Sequence, residues 1–350
     1  DHSISRQRGS EVIVLRKLLA SASRVRDPDD ADLFVVPYLV ATDCQLGLFN
    51  SRCREVPAQK NIFEHLHHYN SQTRHRHLFL ASADMHNLPL TIQEQSLLIS
   101  LGTSWGDRPG HLVAPPSVTE TESQPAFFQD RSLQERDILV WLAMAPNNII
   151  RSIIQRQLIS FDEQYPEEER KRIFDLPGRI LVYISGRNEE KFFEMPSPSQ
   201  VISEMRRAVF CPAPPGETAS GMKRLFDAIL AGCLPVVVAF KTIWGSGVSW
   251  WRRDGVPVEW NMPFPEEVDW RRLVIEVPEE EFVDDSEEKL GFVGKLIHMP
   301  PAEISAKRRY VLEVRNLLVF DLKGGTRDAF SLLMAGIRRA LPRLAPQVQG

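Results

Sequence analysis

Apolar positions recur along this chain with two spacings, and their alternation predicts its architecture. In residues 10–24, Val12, Leu15, Leu18 and Leu19 fall three and four apart, the period of one helix face. ADLFVVPY (31–38) is a short, nearly unbroken apolar run that predicts a buried strand, with Pro37 near its end. NIFEHLHHY (61–69) predicts a helix, HLFLAS (77–82) a second strand, and SLLIS (96–100) a helix or a strand. DRPGHLVAPPSV (107–118) reads as turn chemistry followed by an extended segment. Residues 119–136 are polar and loop-like. DILVWLAMA (137–145) then begins a fresh strand, IIRSIIQRQLISF (149–161) a helix, and RILVYIS (179–185) and RLVIEVP (272–278) further strands. Two amphipathic helices, 302–318 and 326–341, close the chain. Strands alternating with helices predict parallel α/β sheets. The polar stretch sets a boundary near 132, giving domains 1–132 and 133–350.

Composition narrows the function classes. The 350 residues are 43% hydrophobic, enough to core two domains. Lys and Arg number 42 against 46 Asp and Glu, a formal charge of -4 with no basic tail. That balance argues against nucleic acid or an anionic membrane surface as the main partner. The longest uncharged apolar runs, 138–146 and 234–240, are too short to span a bilayer. The first residue is Asp1, not Met, so a leader or anchor upstream is left open. No CxxC pair is present, which disfavours a zinc ribbon or thioredoxin-type site. Cys44 and Cys53, nine apart in a loop-like stretch, could pair in an oxidising compartment. Cys211 and Cys233 lie in apolar runs and are expected to be plain buried thiols.

The most informative stretch is FCPAPPGETASGMKRLFDAILAGCLPVVVAF, residues 210–240. It predicts a loop, a helix over 220–231 with Ser220 as N-cap and Gly232 as its stop, and a buried strand. Leu225, Phe226, Ile229 and Leu230 form the sheet-facing side of that helix. Arg224, Asp227, Ala228 and Ala231 form a separate stripe, so Asp227 is expected to be replaceable without unfolding. The loop around Gly216 brings backbone N–H groups to the helix N-terminus, which attracts anions. Lys223 and Arg224 in the first turn oppose the helix dipole, and a bound diphosphate would reverse that cost. Asp227, one turn on, could accept from the two hydroxyls of a ribose. The stretch reads as a nucleoside diphosphate pocket at the carboxyl edge of a parallel sheet. The plain alternative is an exposed Arg224–Asp227 ion pair. No Walker GxxxxGK[ST] or well-placed GxGxxG is present, which disfavours ordinary ATPases and NAD enzymes.

The same stretch resembles the signature of the exostosin-like glycosyltransferases: Phe-Cys, a Pro-x-Gly loop, an Arg-x-Phe-Asp/Glu-Ala helix, and Gly-Cys-Ile-Pro-Val. DPDDADLFVVPY, RHRHLFLASAD, DRPGHLVAPP and MPFPEEVDW resemble further family segments and follow in the family's order. The resemblance spans residues 5–330. It implies a GT-B fold, two Rossmann-like domains facing each other across a cleft, with a nucleotide sugar on the C-terminal one. It implies inverting transfer from a UDP-sugar to a glycan or glycoprotein acceptor. It also implies a Golgi membrane protein with a lumenal domain, and oligomers with related transferases. Two departures stand out. The Gly216–Asp227 loop is one residue longer than the pattern, so Lys223 and Arg224 compete for the family arginine; RLFDAI favours Arg224. Ala83 stands where the family often has His.

Inverting transfer needs a base for the acceptor hydroxyl and positive charge for the leaving diphosphate. Lys223, Arg224 and the Gly216–Gly221 backbone suit the second role without a metal or other cofactor. Asp84 and His86, after the HLFLAS strand, are the candidate bases, against a turn-capping Asp84 and a surface His86. Arg108 in GDRPG could reach the cleft or only brace its turn. Glu217 reads as a solvated loop carboxylate, and Glu266 and Glu267 as an exposed helix start. Asp30-x-Asp32 precedes an apolar strand, whereas a sugar-nucleotide DxD should follow one. The histidines at 65, 67, 68, 75 and 77 lack an HExxH and read as a polar helix face rather than a metal site. Two rivals remain: a non-catalytic glycan-binding or partner subunit, motivated by Ala83 and the lengthened loop, and a metal-dependent hydrolase built on the histidines.

Overall fold

The computed structural model of the chain describes residues 9–40, 62–81, 88–101, 110–116, 130–145, 149–174, 176–184, 196–214, 223–239, 262–283, 290–321 and 327–344. Its strands are β1 (Phe34–Leu39), β2 (His77–Leu80), β3 (Leu97–Ser100), β4 (His111–Val113), β5 (Ile138–Met144), β6 (Arg179–Ile184), β7 (Ala208–Pro212), β8 (Leu234–Ala239) and β9 (Ile275–Pro278). Its α-helices are α1 (Ser10–Leu19), α2 (Leu90–Gln95), α3 (Ile149–Gln164), α4 (Glu167–Phe174), α5 (Pro198–Met205) and α6 (Lys223–Leu230). They continue with α7 (Trp270–Leu273), α8 (Glu279–Val283), α9 (Gly291–Ile297), α10 (Pro301–Val314) and α11 (Ala329–Leu344).

The chain divides into two α/β units, each built on a parallel sheet. The first holds β1-β2-β3-β4 in sequence order. Its interior gathers Val36, Val40, Phe79, Leu88, Ile92 and Leu98. The second holds β6-β5-β7-β8-β9, so the strand order turns back between β5 and β7. All seven residues of β5 are buried, as in a parallel strand covered on both faces. This explains why ILVWLAM shows no alternation.

The closing helix departs from the expected plan. α11 belongs with the first unit, together with residues 259–267, rather than with everything after 132. Its buried positions Ala329, Leu332, Leu333, Gly336, Ile337 and Ala340 make one helical face. That face packs on β3 and β4. Gly336 lets the backbone approach Leu112, whose Cδ2 would lie 3.3 Å from an added Cβ. Lys17 pairs with Asp328 at 2.9 Å, and Arg339 with Glu266 at 2.8 Å and Glu267 at 3.0 Å. Glu266 and Glu267 therefore start no helix; they tie a returning turn to α11.

Two further expectations change. The run 61–69 forms a 3-10 turn, Ile62–His65, instead of an α-helix. Leu66 N–H and Tyr69 N–H bond three residues back, and Ile62, Leu66 and Tyr69 still cover the first core. Residues 96–100 resolve as a strand, Leu97–Ser100, buried throughout. Prolines disguise β7: Pro212, Pro214 and Pro215 read as loop, yet Ala208–Pro212 is fully buried.

The cysteine expectation is corrected most sharply. Cys211 and Cys233 are fully buried, as expected, but they form a disulfide, with Cα atoms 5.9 Å apart. Parallel pairing sets Phe210 beside Leu234 and Cys211 beside Pro235, which brings the two sulfurs diagonally together. Their separation of 22 residues hides this, because the whole β7–α6–β8 crossover lies between them. Cys44 and Cys53 lie outside the described residues.

The foot of this crossover is held by Arg136. Its Nη1 donates to the carbonyls of Met205, at 3.4 Å, and Ala208; its Nη2 donates to Ala231 at 3.2 Å. These carbonyls end α5, begin β7 and end α6. Burial, then the charge of Arg308, pulls the guanidinium pKa down to about 9. Gly232, at φ +67, completes a Schellman ending: Gly232 N–H bonds Ile229 O and Cys233 N–H bonds Ala228 O. A Cβ there would lie 2.9 Å from Arg136 Nη2.

The crossover can be probed at two points. Gly232→Ala should cost about 1–2 kcal/mol from the left-handed backbone alone, and more because Arg136 is pinned. Replacing Cys211 and Cys233 together with Ala should cost about 3 kcal/mol, the loop entropy of a closure of this length. Urea denaturation of each variant measures both losses.

Candidate functional site

The second unit has its topological switch point between β5 and β7. In open parallel sheets, ligands settle outside the carboxyl ends of strands at such a point. α6 follows β7 and begins at Lys223, and a helix that leads from one parallel strand to the next starts on the side of the strands' carboxyl ends. The helix thus presents its N-terminus, with its partial positive charge, on the ligand-binding edge.

α6 is more deeply packed than its sequence suggests. Every residue from Leu225 to Leu230 is buried. Leu225, Phe226, Ile229 and Leu230 cover the sheet as expected, with Phe226 edge-on to Trp270 at 5.8 Å. Most of the expected separate stripe is buried too: Asp227, Ala228 and Ala231 are, and Arg224 is partly so; α10 packs against this helix. Asp227 is only 7% exposed. Its Oδ1 lies 2.5 Å from Lys223 Nζ, one helical turn back. The plain alternative, an Arg224–Asp227 pair on an exposed face, does not fit a buried Asp227 that pairs i, i+4 with Lys223.

Arg224 does something different. Its guanidinium lies over the ring of Trp141 in β5, 5.0 Å from the centroid. Trp141 is itself fixed: its indole N–H donates to Glu204 Oε2 at 2.8 Å. Tyr183 O–H donates to Glu204 Oε1 at 2.8 Å, and Gln200 Nε2 donates to the same oxygen at 3.0 Å. Burial, with the Glu204 carboxylate beside it, pushes the Tyr183 phenol pKa up. The structure thus brings Lys223, Arg224 and Asp227 onto one short helix at the carboxyl edge. Gly216, Ser220, Arg108, Asp84 and His86 lie outside the described residues, as does Glu217.

Trp141, Glu204 and Tyr183 escape the sequence reading. Trp141 does carry a signal, as the one aromatic residue in the aliphatic run ILVWLAM. Glu204 carries none, because Trp141 and Tyr183 come from strands distant in sequence. The histidines are placed apart by Phe34: His68 stacks on that ring at 5.4 Å and His77 at 4.8 Å. His77 Nδ1 meets the Thr73 carbonyl at 3.0 Å. Burial, and then Arg76 and Arg74, lower the pKa of His75. Among the described residues, no three His, Cys, Asp or Glu side chains are grouped to hold a metal ion.

Comparison with known proteins gives a consistent picture. Residues 1–288 match the Exostosin GT47 domain. Over 307 residues the chain is 25% identical to a "Probable glucuronoxylan glucuronosyltransferase" of Arabidopsis thaliana, covering 80% of this chain and 57% of that protein. It is 24% identical over 294 residues to the "Probable glucuronosyltransferase Os03g0107900" of Oryza sativa subsp. japonica, covering 78% and 60%. It is 22% identical over 352 residues to the "Probable beta-1,4-xylosyltransferase IRX10" of Arabidopsis thaliana, covering 95% and 76%. The chain thus spans less than two thirds of the first two relatives. Among solved structures it is similar to WaaG, a glycosyltransferase involved in lipopolysaccharide biosynthesis, at a TM-score of 0.35 and 13% identity, covering 72% of this chain and 63% of that one. A likeness that loose adds nothing to the topology described above.

The Lys223–Asp227 pair yields a double-mutant prediction. Lys223→Met or Asp227→Leu alone leaves a mostly buried charge without its nearest counter-ion and should cost about 3 kcal/mol each. The double variant should lose clearly less than the sum. Urea denaturation of the four proteins gives the coupling, and additive losses would show that the pair does not act as a unit.

Proposed function

The chain belongs to the Exostosin GT47 domain family, and on that premise we propose that it is an inverting glycosyltransferase. It moves a sugar from a nucleoside diphosphate, UDP, to a glycan hydroxyl. The observation that carries this reading is α6: Lys223, Arg224 and Asp227 stand on one helix that starts at the carboxyl edge, beside the switch point.

In this reading the diphosphate sits at the α6 N-terminus. Backbone N–H groups and the two cations offset its charge and stabilise it as it leaves. Asp227 accepts from the ribose hydroxyls. The acceptor oxygen attacks the anomeric carbon from the face opposite the diphosphate. The new C–O bond forms as the bond to the diphosphate oxygen breaks, and a base, Asp84 or His86, takes the hydroxyl proton. Gly216, Ser220 and Arg108 are further candidate substrate contacts in this reading, and all three lie outside the described residues. No metal is required, because side chains and helix N–H groups supply the positive charge.

The relatives' names point to glucuronic acid or xylose as the transferred sugar. A Golgi lumenal location fits the Cys211–Cys233 disulfide, which needs an oxidising compartment to persist. The acceptor is a glycan or glycoprotein, and assembly with related transferases belongs to the same reading.

The test is calorimetric titration with UDP and then UDP-sugars in EDTA. Micromolar binding is expected, weakened roughly tenfold or more by Arg224→Met. That variant keeps an unbranched apolar side chain and removes the guanidinium with its charge and its N–H donors. A folded protein that binds no nucleoside diphosphate would sink the reading. Binding without transfer to any acceptor would favour the non-catalytic partner subunit.

A further inference from the structure

A cavity of about 1090 Å3 opens in the first unit, beside the amino-terminal ends of β1 and β2. Residues from α1, the loop 21–33, β1 and α11 line it. Along β1 it reaches from the start of the strand as far as Pro37. Its size exceeds the usual range for small-molecule sites, so it has room for more than one ring.

The side chains on its wall fall into two groups. Some are engaged. Arg76 donates from Nε to Asp32 O at 3.2 Å and covers the Phe34 ring at 5.2 Å. Asp27 accepts from Asp29 N–H at 3.0 Å, capping a turn. The others, Arg24, Arg26, Arg338, Asp30 and Asp32, make no side-chain hydrogen bond or ion pair among the described residues. Between them lies apolar surface, including Leu19, 49% exposed, and Val25, 45% exposed.

The mixture of free donors and free acceptors decides the ligand. A phosphate, sulfate or uronate carboxylate only accepts hydrogen bonds, and would meet Asp30 and Asp32 as like charges. A cation would meet three guanidinium groups. A hydroxyl donates one hydrogen bond and accepts two, so it can use both kinds of group side by side. The C–H faces of sugar rings suit the exposed leucine and valine. We propose that this groove binds a neutral oligosaccharide segment at least two rings long. Carboxylates of Asp30 and Asp32 accept from its hydroxyls, and Arg24, Arg26 and Arg338 donate to its oxygens. Its role, holding the distal part of an acceptor chain, rests on the proposed sugar transfer; the binding does not.

The full chain should be titrated with xylohexaose and cellohexaose as neutral probes, with hexagalacturonate as the anionic control, and separately with UDP. A neutral hexasaccharide is expected to bind, hexagalacturonate more weakly. The double substitution Arg26→Ala, Arg338→Ala should weaken that binding roughly tenfold or more. Both residues are exposed, so the melting temperature and the affinity for UDP should stay as in the unsubstituted chain. The inference is overturned if neither neutral probe binds, if hexagalacturonate binds more tightly, or if the double variant binds unchanged. UDP binding without glycan binding removes the groove and leaves the donor site. Glycan binding lost in the double variant, with no UDP binding by the unsubstituted chain, keeps the groove and removes the transfer reading.

Discussion

One buried cation organises the second unit. A helix ends with carbonyls that have no partner inside it. Where such ends are buried, something must donate to them. Arg136 does so for α5 and α6 at once, and for the start of β7 between them. A planar group with five fixed N–H donors suits three carbonyls converging from different elements. Its charge is costly to bury, as the lowered pKa shows, and Asp130, 3.9 Å from Nη2, offsets part of that cost. Gly232 leaves room for it.

The consequence is a division of labour along the strands. Arg136 and the Schellman ending hold the β7–α6–β8 crossover at the amino ends, and the Cys211–Cys233 disulfide ties its two strands together. At the carboxyl ends, the same crossover presents the start of α6 and its charged first turn. A rigid base of this kind holds functional groups to a defined geometry better than a loop can. Arg224 shows how far the support extends: its guanidinium is held by Trp141, and Trp141 by Glu204.

Much of this is legible in the chain. Buried parallel strands such as β2, β5 and β8 announce themselves as apolar runs, because both of their faces are covered. α11 announces its packed face by its spacing. The run 61–69 misleads because Ile62, Leu66 and Tyr69 also satisfy a helical spacing, although tighter turns deliver them to the same core. β7 is hard to see because prolines mark loops until neighbouring strands show that they end a buried one. The candidate site is half legible. Its residue types and positions on α6 are readable, but the partners of Asp227 and Arg224 are not.

The sequence by itself determined the alternation of strands and helices and the position of the charged helix between a loop and a buried strand. These follow from local spacing and residue order, which a single chain displays directly. Only the tertiary structure decided that Asp227 is buried, that Arg224 rests on Trp141, that Cys211 joins Cys233, and that α11 returns to the first unit. Each depends on which elements lie side by side. That is set by sheet order and packing across long sequence separations, where periodicity within one segment carries no information.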